Sequence, residues 1–200
     1  IDEITDALVI QDLPTQSTLR QMLSDLVMNA EGVAPIIHSF KDAQHLRVGV
    51  RDINRQDEIA RTHECLSDIA EVCLSEIIQR EHHKLVGRLG QPLNSAGQPV
   101  SLCLLAMGKL GGREPNYHSD LDIVFLHETN IPEFSGSSGR CSGHEFFSRL
   151  SANVTKTISG LGPYGRLYEI DCRLRPTGKS GSLVISFQEF CRYFEAGDGQ

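Results

Sequence analysis

Asp120 and Asp122 stand at the head of the apolar run Leu121–Leu126. Side chains at i and i+2 of a strand share a face. The run therefore predicts the two carboxylates side by side, with Leu121, Ile123 and Phe125 pointing into the opposite layer. Like charges at that spacing repel, and one must hold a proton unless a cation lies between them. An oxygen-rich pair suits Mg²⁺, which is commonly held by one or two carboxylates together with substrate phosphates. A D-x-D pair alone does not separate that reading from a merely solvated strand end.

Upstream runs the turn Gly108-Lys109-Leu110-Gly111-Gly112-Arg113. If the strand ending at Met107 is antiparallel to the one starting at Asp120, Gly108 and the carboxylates share one sheet edge. Gly108, Gly111 and Gly112 would let the backbone approach a ligand and present N–H groups to phosphate oxygens. Lys109 or Arg113 would add positive charge. The alternative, an ordinary glycine-rich loop, needs neither the lysine nor the neighbouring acids.

A third acid comes from residues 166–175, "RLYEIDCRLR". Its alternation predicts one strand with Leu167, Glu169, Asp171, Arg173 and Arg175 on one face, and Tyr168, Ile170, Cys172 and Leu174 on the other. The first face is costly to bury unless it borders a cation site or solvent. Asp171 is the candidate third carboxylate, and Arg173 and Arg175 stand near enough to meet phosphate. A salt-bridged sheet surface is the alternative. Taken together, three acids and a phosphate-cradling turn make a two-metal site for phosphoryl chemistry. One ion orients the nucleotide phosphates and the other lowers the pKa of the attacking hydroxyl.

The elements that must position these residues divide near Gly90–Pro99, "GQPLNSAGQP", a boundary by composition. Residues 1–95 are expected to form a helical region with no chemistry of its own. Leu19, Met22, Leu23, Leu26 and Val27 mark a first helix at 16–29. A second, interrupted near Gly49, covers about 33–53. A third, 57–89, carries the stripe Leu66, Ile69, Ala70, Cys73, Leu74, Ile77 and Ile78 opposite a solvated charged face. Residues 96–200 are expected to be the catalytic core. Strands are expected at 100–107, 121–126, 166–175 and 181–186, a polar Gly/Ser loop at 130–143, and helices at 144–160 and 187–197. Such an irregular mixture predicts an α+β fold.

The chain carries a formal charge of −7 and six cysteines with no C-x-x-C pair. A net negative surface without a basic patch argues against nucleic acid and anionic membrane as partners. No apolar run approaches the roughly 18–20 residues of a membrane span. Thiols in apolar segments predict buried, reduced cysteines in a cytoplasmic protein. The histidines form no H-E-x-x-H spacing, and His82–His83 is expected to be a solvated helix end. The chain starts at Ile1 with no visible leader and ends in a patterned stretch, so a piece of a longer protein is expected.

Beyond these readings, a glycine turn after a strand followed by D-x-D at the head of the next resembles the nucleotidyltransferase superfamily that includes DNA polymerase β. More closely, "MGKLGGREPNYHSDLDIVFLHE" with "LYEIDCRLRPTGKSGSLV" resembles the bacterial glutamine synthetase adenylyltransferases, and "FKDAQHLRVGVRDI" and "LSDIAEVCLSEII" also fit. The resemblance implies a polymerase-β-like nucleotidyltransferase sheet with helices, preceded by an N-terminal helical layer. It implies Asp120 and Asp122 as the first two metal ligands and Asp171 as the third. Gly108 and Lys109 fall in the phosphate turn, and Ser119 falls beside the acidic pair. Mg²⁺ or Mn²⁺ is the implied cofactor and ATP the substrate. Glutamine synthetase is the protein acceptor, with the PII signal protein acting through other parts of the full-length enzyme. One family half attaches AMP to a tyrosine of glutamine synthetase, and the other removes it by phosphorolysis; the attaching half is the slightly closer likeness. A nucleotidyltransferase with a small-molecule or nucleic-acid acceptor, and a nucleotide-binding module without turnover, stand as alternatives.

Overall fold

The computed structural model describes residues 12–30, 32–128, 130–176 and 181–196. Residues 177–180 of the second quoted motif and Gly197 of the expected closing helix lie outside them. Three helices open the described chain: α1 (Gln16–Val27), α2 (Ala34–Ile53) and α3 (Ile59–Leu89). The Thr15 side chain accepts the Thr18 N–H and caps α1, which satisfies one of the donors a helix start leaves unpaired. α1 turns Leu19, Leu23 and Val27 inward, while Leu26 is exposed. α2 runs without the interruption expected near Gly49.

α3 is the axis of the molecule. α1, α2 and α5 (Gly143–Ser159) all pack on it. Residues Cys65, Leu66, Ser67, Asp68, Ile69 and Ala70 are consequently buried in succession, so Asp68 departs from the solvated charged face expected opposite the stripe, while Glu64, Lys84 and Arg88 are exposed as expected. His82 is also corrected: it is half-buried, with its ring edge-on to Phe146 at 5.5 Å between centroids.

The sheet is built on β2 (Leu121–His127). β1 (Cys103–Ala106) pairs antiparallel with it, Ala106 opposite Ile123. Its other edge is covered twice by parallel partners. β5 (Ile170–Asp171) lies along the start of β2, and β6 (Val184–Ser186) along its end. The single strand expected at 166–175 is thus reduced to two residues, because the chain turns away at Arg173–Leu174 before returning as β6. The polar stretch 130–143 is not a plain loop. It contains the hairpin β3 (Phe134–Gly136) and β4 (Gly139–Cys141), whose tip donates from Ser138 N–H to the Arg88 carbonyl at 3.0 Å. A one-turn helix, α4 (Gly108–Gly111), links β1 to the approach to β2, and α6 (Phe187–Glu195) follows β6 with a Ser186–Glu189 capping box. The architecture is α+β.

One contiguous core joins these layers. It includes Leu23, Ile69, Leu121, Ile123, Phe125, Phe146, Leu150 and Val184. The six cysteines are free thiols, with Cys103 exposed. No described helix is long and apolar enough to cross a membrane.

Arg113 fastens α4 to the helical layer. Its guanidinium donates to Asp68 Oδ1 at 2.6 Å and to Glu71 Oε1 at 2.8 Å. Glu71 in turn accepts from Gln16 of α1 at 2.5 Å. Asp68 is buried, so removing its partner strands a desolvated carboxylate. Arg113→Ala is expected to lower stability by about 2 kcal/mol. Adding Asp68→Ala should give back part of that loss, since no orphaned charge then remains. Denaturation midpoints of the single and double variants check both statements.

Candidate active site

Main-chain pairing brings the acids together. Asp122 and Asp171 are register partners across the parallel β2–β5 pair, and the Leu121 N–H donates to the Glu169 carbonyl at 2.8 Å. On the opposite edge of β2 the Met107 N–H donates to the Asp122 carbonyl at 2.8 Å. That bond carries the antiparallel pairing one step beyond Ala106 and delivers Gly108 to the carboxylates. Gly108 has φ +51, and a Cβ there would collide with Asp122 Oδ2. Glycine is required on both counts: the left-handed conformation and the close approach.

Asp120 is exposed and sits immediately before β2. The turn that presents it is locked by Ser119 and Asn116. Ser119 Oγ accepts the Asn116 N–H at 3.0 Å and donates to Asn116 Oδ1 at 2.9 Å, and the His118 N–H donates to the same oxygen at 3.2 Å. Ser119 therefore shapes the backbone leading to the acidic pair.

The electrostatics follow from crowding. Desolvation raises the Asp122 carboxyl above its ordinary range, and the charges of Asp120 and Asp171 push the same way. Arg173 and Lys109 oppose them. Arg173 answers the repulsion most directly. Its backbone N–H donates to Asp171 Oδ1 at 2.8 Å and its Nε to Asp171 Oδ2 at 2.6 Å. Hydrogen bonding to Asp171 also raises the guanidinium pKa.

Among the described residues no three His, Cys, Asp or Glu side chains close into a ready coordination shell. With Asp171 turned toward Arg173, a guanidinium supplies the positive charge here. The donor set still fits a hard divalent cation. Carboxylate oxygens from adjoining strands meet where their mutual repulsion already disfavours ionisation, a cost that a bound cation relieves.

Several expected roles change. Gly111 and Gly112 do not offer free N–H groups: they donate to the Met107 and Gly108 carbonyls at 2.8 and 3.0 Å and close α4. Gly111 is glycine for another reason, since a Cβ there would lie 2.7 Å from the Ala106 carbonyl oxygen. Arg113 points to α3 instead of to the carboxylates. Arg175 is held by its own loop, donating to the Cys172 and Gly181 carbonyls at 2.5 and 3.4 Å. Lys109 remains exposed beside the acids. Sequence reasoning missed His45 and Asp52 of α2 and Tyr117 and Tyr168 near the acids. Tyr117 donates to Asp52 Oδ2 at 3.2 Å. The available signal was the spacing of His45, Gly49 and Asp52 along one stripe of α2.

Residues 1–199 match the sequence family described as glutamate-ammonia ligase adenylyltransferase. The chain belongs to that family. It is also 36% identical over 165 residues to the bifunctional glutamine synthetase adenylyltransferase/adenylyl-removing enzyme of Haemophilus ducreyi. The match covers 82% of this chain and 17% of that relative, so the chain spans a small part of the relative's length.

In this adenylyltransferase-family chain, the raised Asp122 pKa carries a stability signature. Between the ordinary aspartate value near 4 and the raised one, the native state keeps a proton that the unfolded chain has lost. Stability therefore falls as pH rises through that window, and the penalty is complete above the raised value. Asp122→Asn is expected to raise the melting temperature at about pH 7, with the gain vanishing as the pH falls to about 4. Thermal melts across that range check it; equal melting temperatures at neutral pH would show that the crowding costs nothing.

Proposed function

We propose that this chain is a polymerase-β-like nucleotidyltransferase unit that moves AMP between ATP and a tyrosine of glutamine synthetase, in the attaching direction and in the cytoplasm. The observation that carries the proposal is the register of Asp122 against Asp171, with Gly108 pressed on the Asp122 carboxylate. Family membership and the name of the Haemophilus ducreyi relative support the reaction and the acceptor. Asp120, Asp122 and Asp171 would hold Mg²⁺ or Mn²⁺, as a pair of ions that neutralises phosphate charge and lowers the pKa of the attacking hydroxyl.

The chain's own residues do the rest. Gly108 lets the turn close directly on Asp122, and Lys109, exposed at the same turn, supplies a cation for the triphosphate. Arg173 exchanges partners, leaving Asp171 for the nucleotide phosphates. Asp171, so released, accepts the proton of the acceptor tyrosine, whose ordinary pKa is about 10. The tyrosine oxygen then bonds to the α-phosphorus as the bond to the pyrophosphate oxygen breaks. A net charge of −7 is compatible with a protein acceptor and unfavourable for nucleic acid. The PII signal protein would act through parts of the enzyme beyond this chain.

The test incubates the protein with α-labelled ATP, Mg²⁺ and unmodified glutamine synthetase, and separately with adenylylated glutamine synthetase and phosphate. Label on the acceptor in the first arm is the expected result; ADP release confined to the second assigns the removing half. Asp120→Asn and Asp171→Asn should each cut transfer by roughly a hundredfold or more while leaving the fold intact. Full transfer by either variant overturns the carboxylate assignment.

A further inference from the structure

His45, Gly49 and Asp52 lie at i, i+4 and i+7 of α2 and form one stripe. Tyr117 lies along that stripe. Its ring is edge-on to His45 with centroids 6.2 Å apart. A Cβ on Gly49 would already stand 3.9 Å from it, and its hydroxyl donates to Asp52. A second ring beside His45 is that of Tyr168, with ring centroids 6.2 Å apart and the hydroxyl 3.5 Å from His45 Nε2. Lys41 Nζ stands 5.8 Å from the centre of the Tyr168 ring.

The placement of the two tyrosines is the informative fact. Tyr117 precedes Asp120 by three residues, and Tyr168 precedes Asp171 by three. Each segment that carries an acid into the sheet therefore grips the same face of α2, with one histidine between them. Burial of His45, with Lys41 nearby, lowers its pKa to about 4, so a neutral imidazole fills the space. Desolvation, with Asp52 adding, pushes Tyr117 up to about 12, which keeps its hydroxyl a donor.

We infer that His45 is a positioning residue: it is the shared anchor through which α2 holds together the two segments that deliver Asp120 and Asp122, and Asp171, to the paired strands. The consequence for metal binding rests on the carboxylate reading above; the anchoring itself does not.

The test uses the full chain with His45→Ala, His45→Gln and, as a control of similar destabilisation far from the site, Leu23→Ala. Hydrogen–deuterium exchange is followed over 117–122 and 168–171, and Mn²⁺ affinity is measured by titration. His45→Ala is expected to speed exchange of the Leu121 amide and of both segments together. It should also weaken Mn²⁺ binding roughly tenfold, the low end of what groups orienting metal ligands contribute. Glutamine keeps an acceptor near the Nε2 position and should restore most of both. Leu23→Ala should leave both unchanged beyond any shift shared by the whole chain. The inference is overturned if His45→Ala loosens these segments no more than the control, or loosens only one of them. It is equally overturned if the wild type binds Mn²⁺ and His45→Ala binds it as well. If the wild type binds no Mn²⁺, the carboxylate reading fails, and the exchange result alone still decides the anchor.

Discussion

Asp122 and Asp171 oppose each other across a parallel strand pair, where main-chain hydrogen bonding fixes the strand spacing at about 4.8 Å. The carboxylates cannot relieve their repulsion by drifting apart. The register cannot slip either, because a shift of one residue would move Leu121, Ile123 and Phe125, which are at most 1% accessible, out of the main core and onto the face packed by the smaller cluster of Val124, Leu126 and Ile185. What remains adjustable is the counter-charge. Arg173 and Lys109 supply it here, and the rest of the site is arranged around that need.

The edge of β2 opposite β1 makes the arrangement workable. One continuous strand along that edge would have put Arg173 and Arg175 into the ladder with fixed directions. The chain instead leaves the sheet after Asp171 and returns at Val184. Arg173 thereby folds back onto Asp171, while Arg175 braces the excursion through the Cys172 and Gly181 carbonyls. The interruption gives one arginine access to the acids and turns the other into a structural tie.

The helical layer holds the site at its two approaches. Arg113 ties the glycine turn to Asp68 and Glu71 of α3, and Tyr117 and Tyr168 tie the acid-bearing segments to α2. A layer without chemical groups in the active site can still govern its geometry. Ionic contacts that look like ligand-binding signals in the sequence perform that structural task.

Local patterning was enough to read much of this molecule. The 3.6-residue stripe of α1, the buried face of α5 and the apolar run of β2 are each set by side chains near in sequence, and Leu19, Leu23, Phe147, Leu150, Val154 and Ile158 are buried as that patterning requires. Asp120 and Asp122 at the mouth of a strand, with glycines just before it, were legible for the same reason. The destinations of Arg113, Arg175, His45 and Tyr168 were not, because each depends on a partner set by long-range packing. Alternation in 166–175 suggested one long strand, but periodicity carries no information about where a partner edge ends. The sequence by itself determined which residues can carry charge and which faces must be buried. Only the tertiary structure decided which charges meet, because that depends on strand register and on the helix each approach segment packs against.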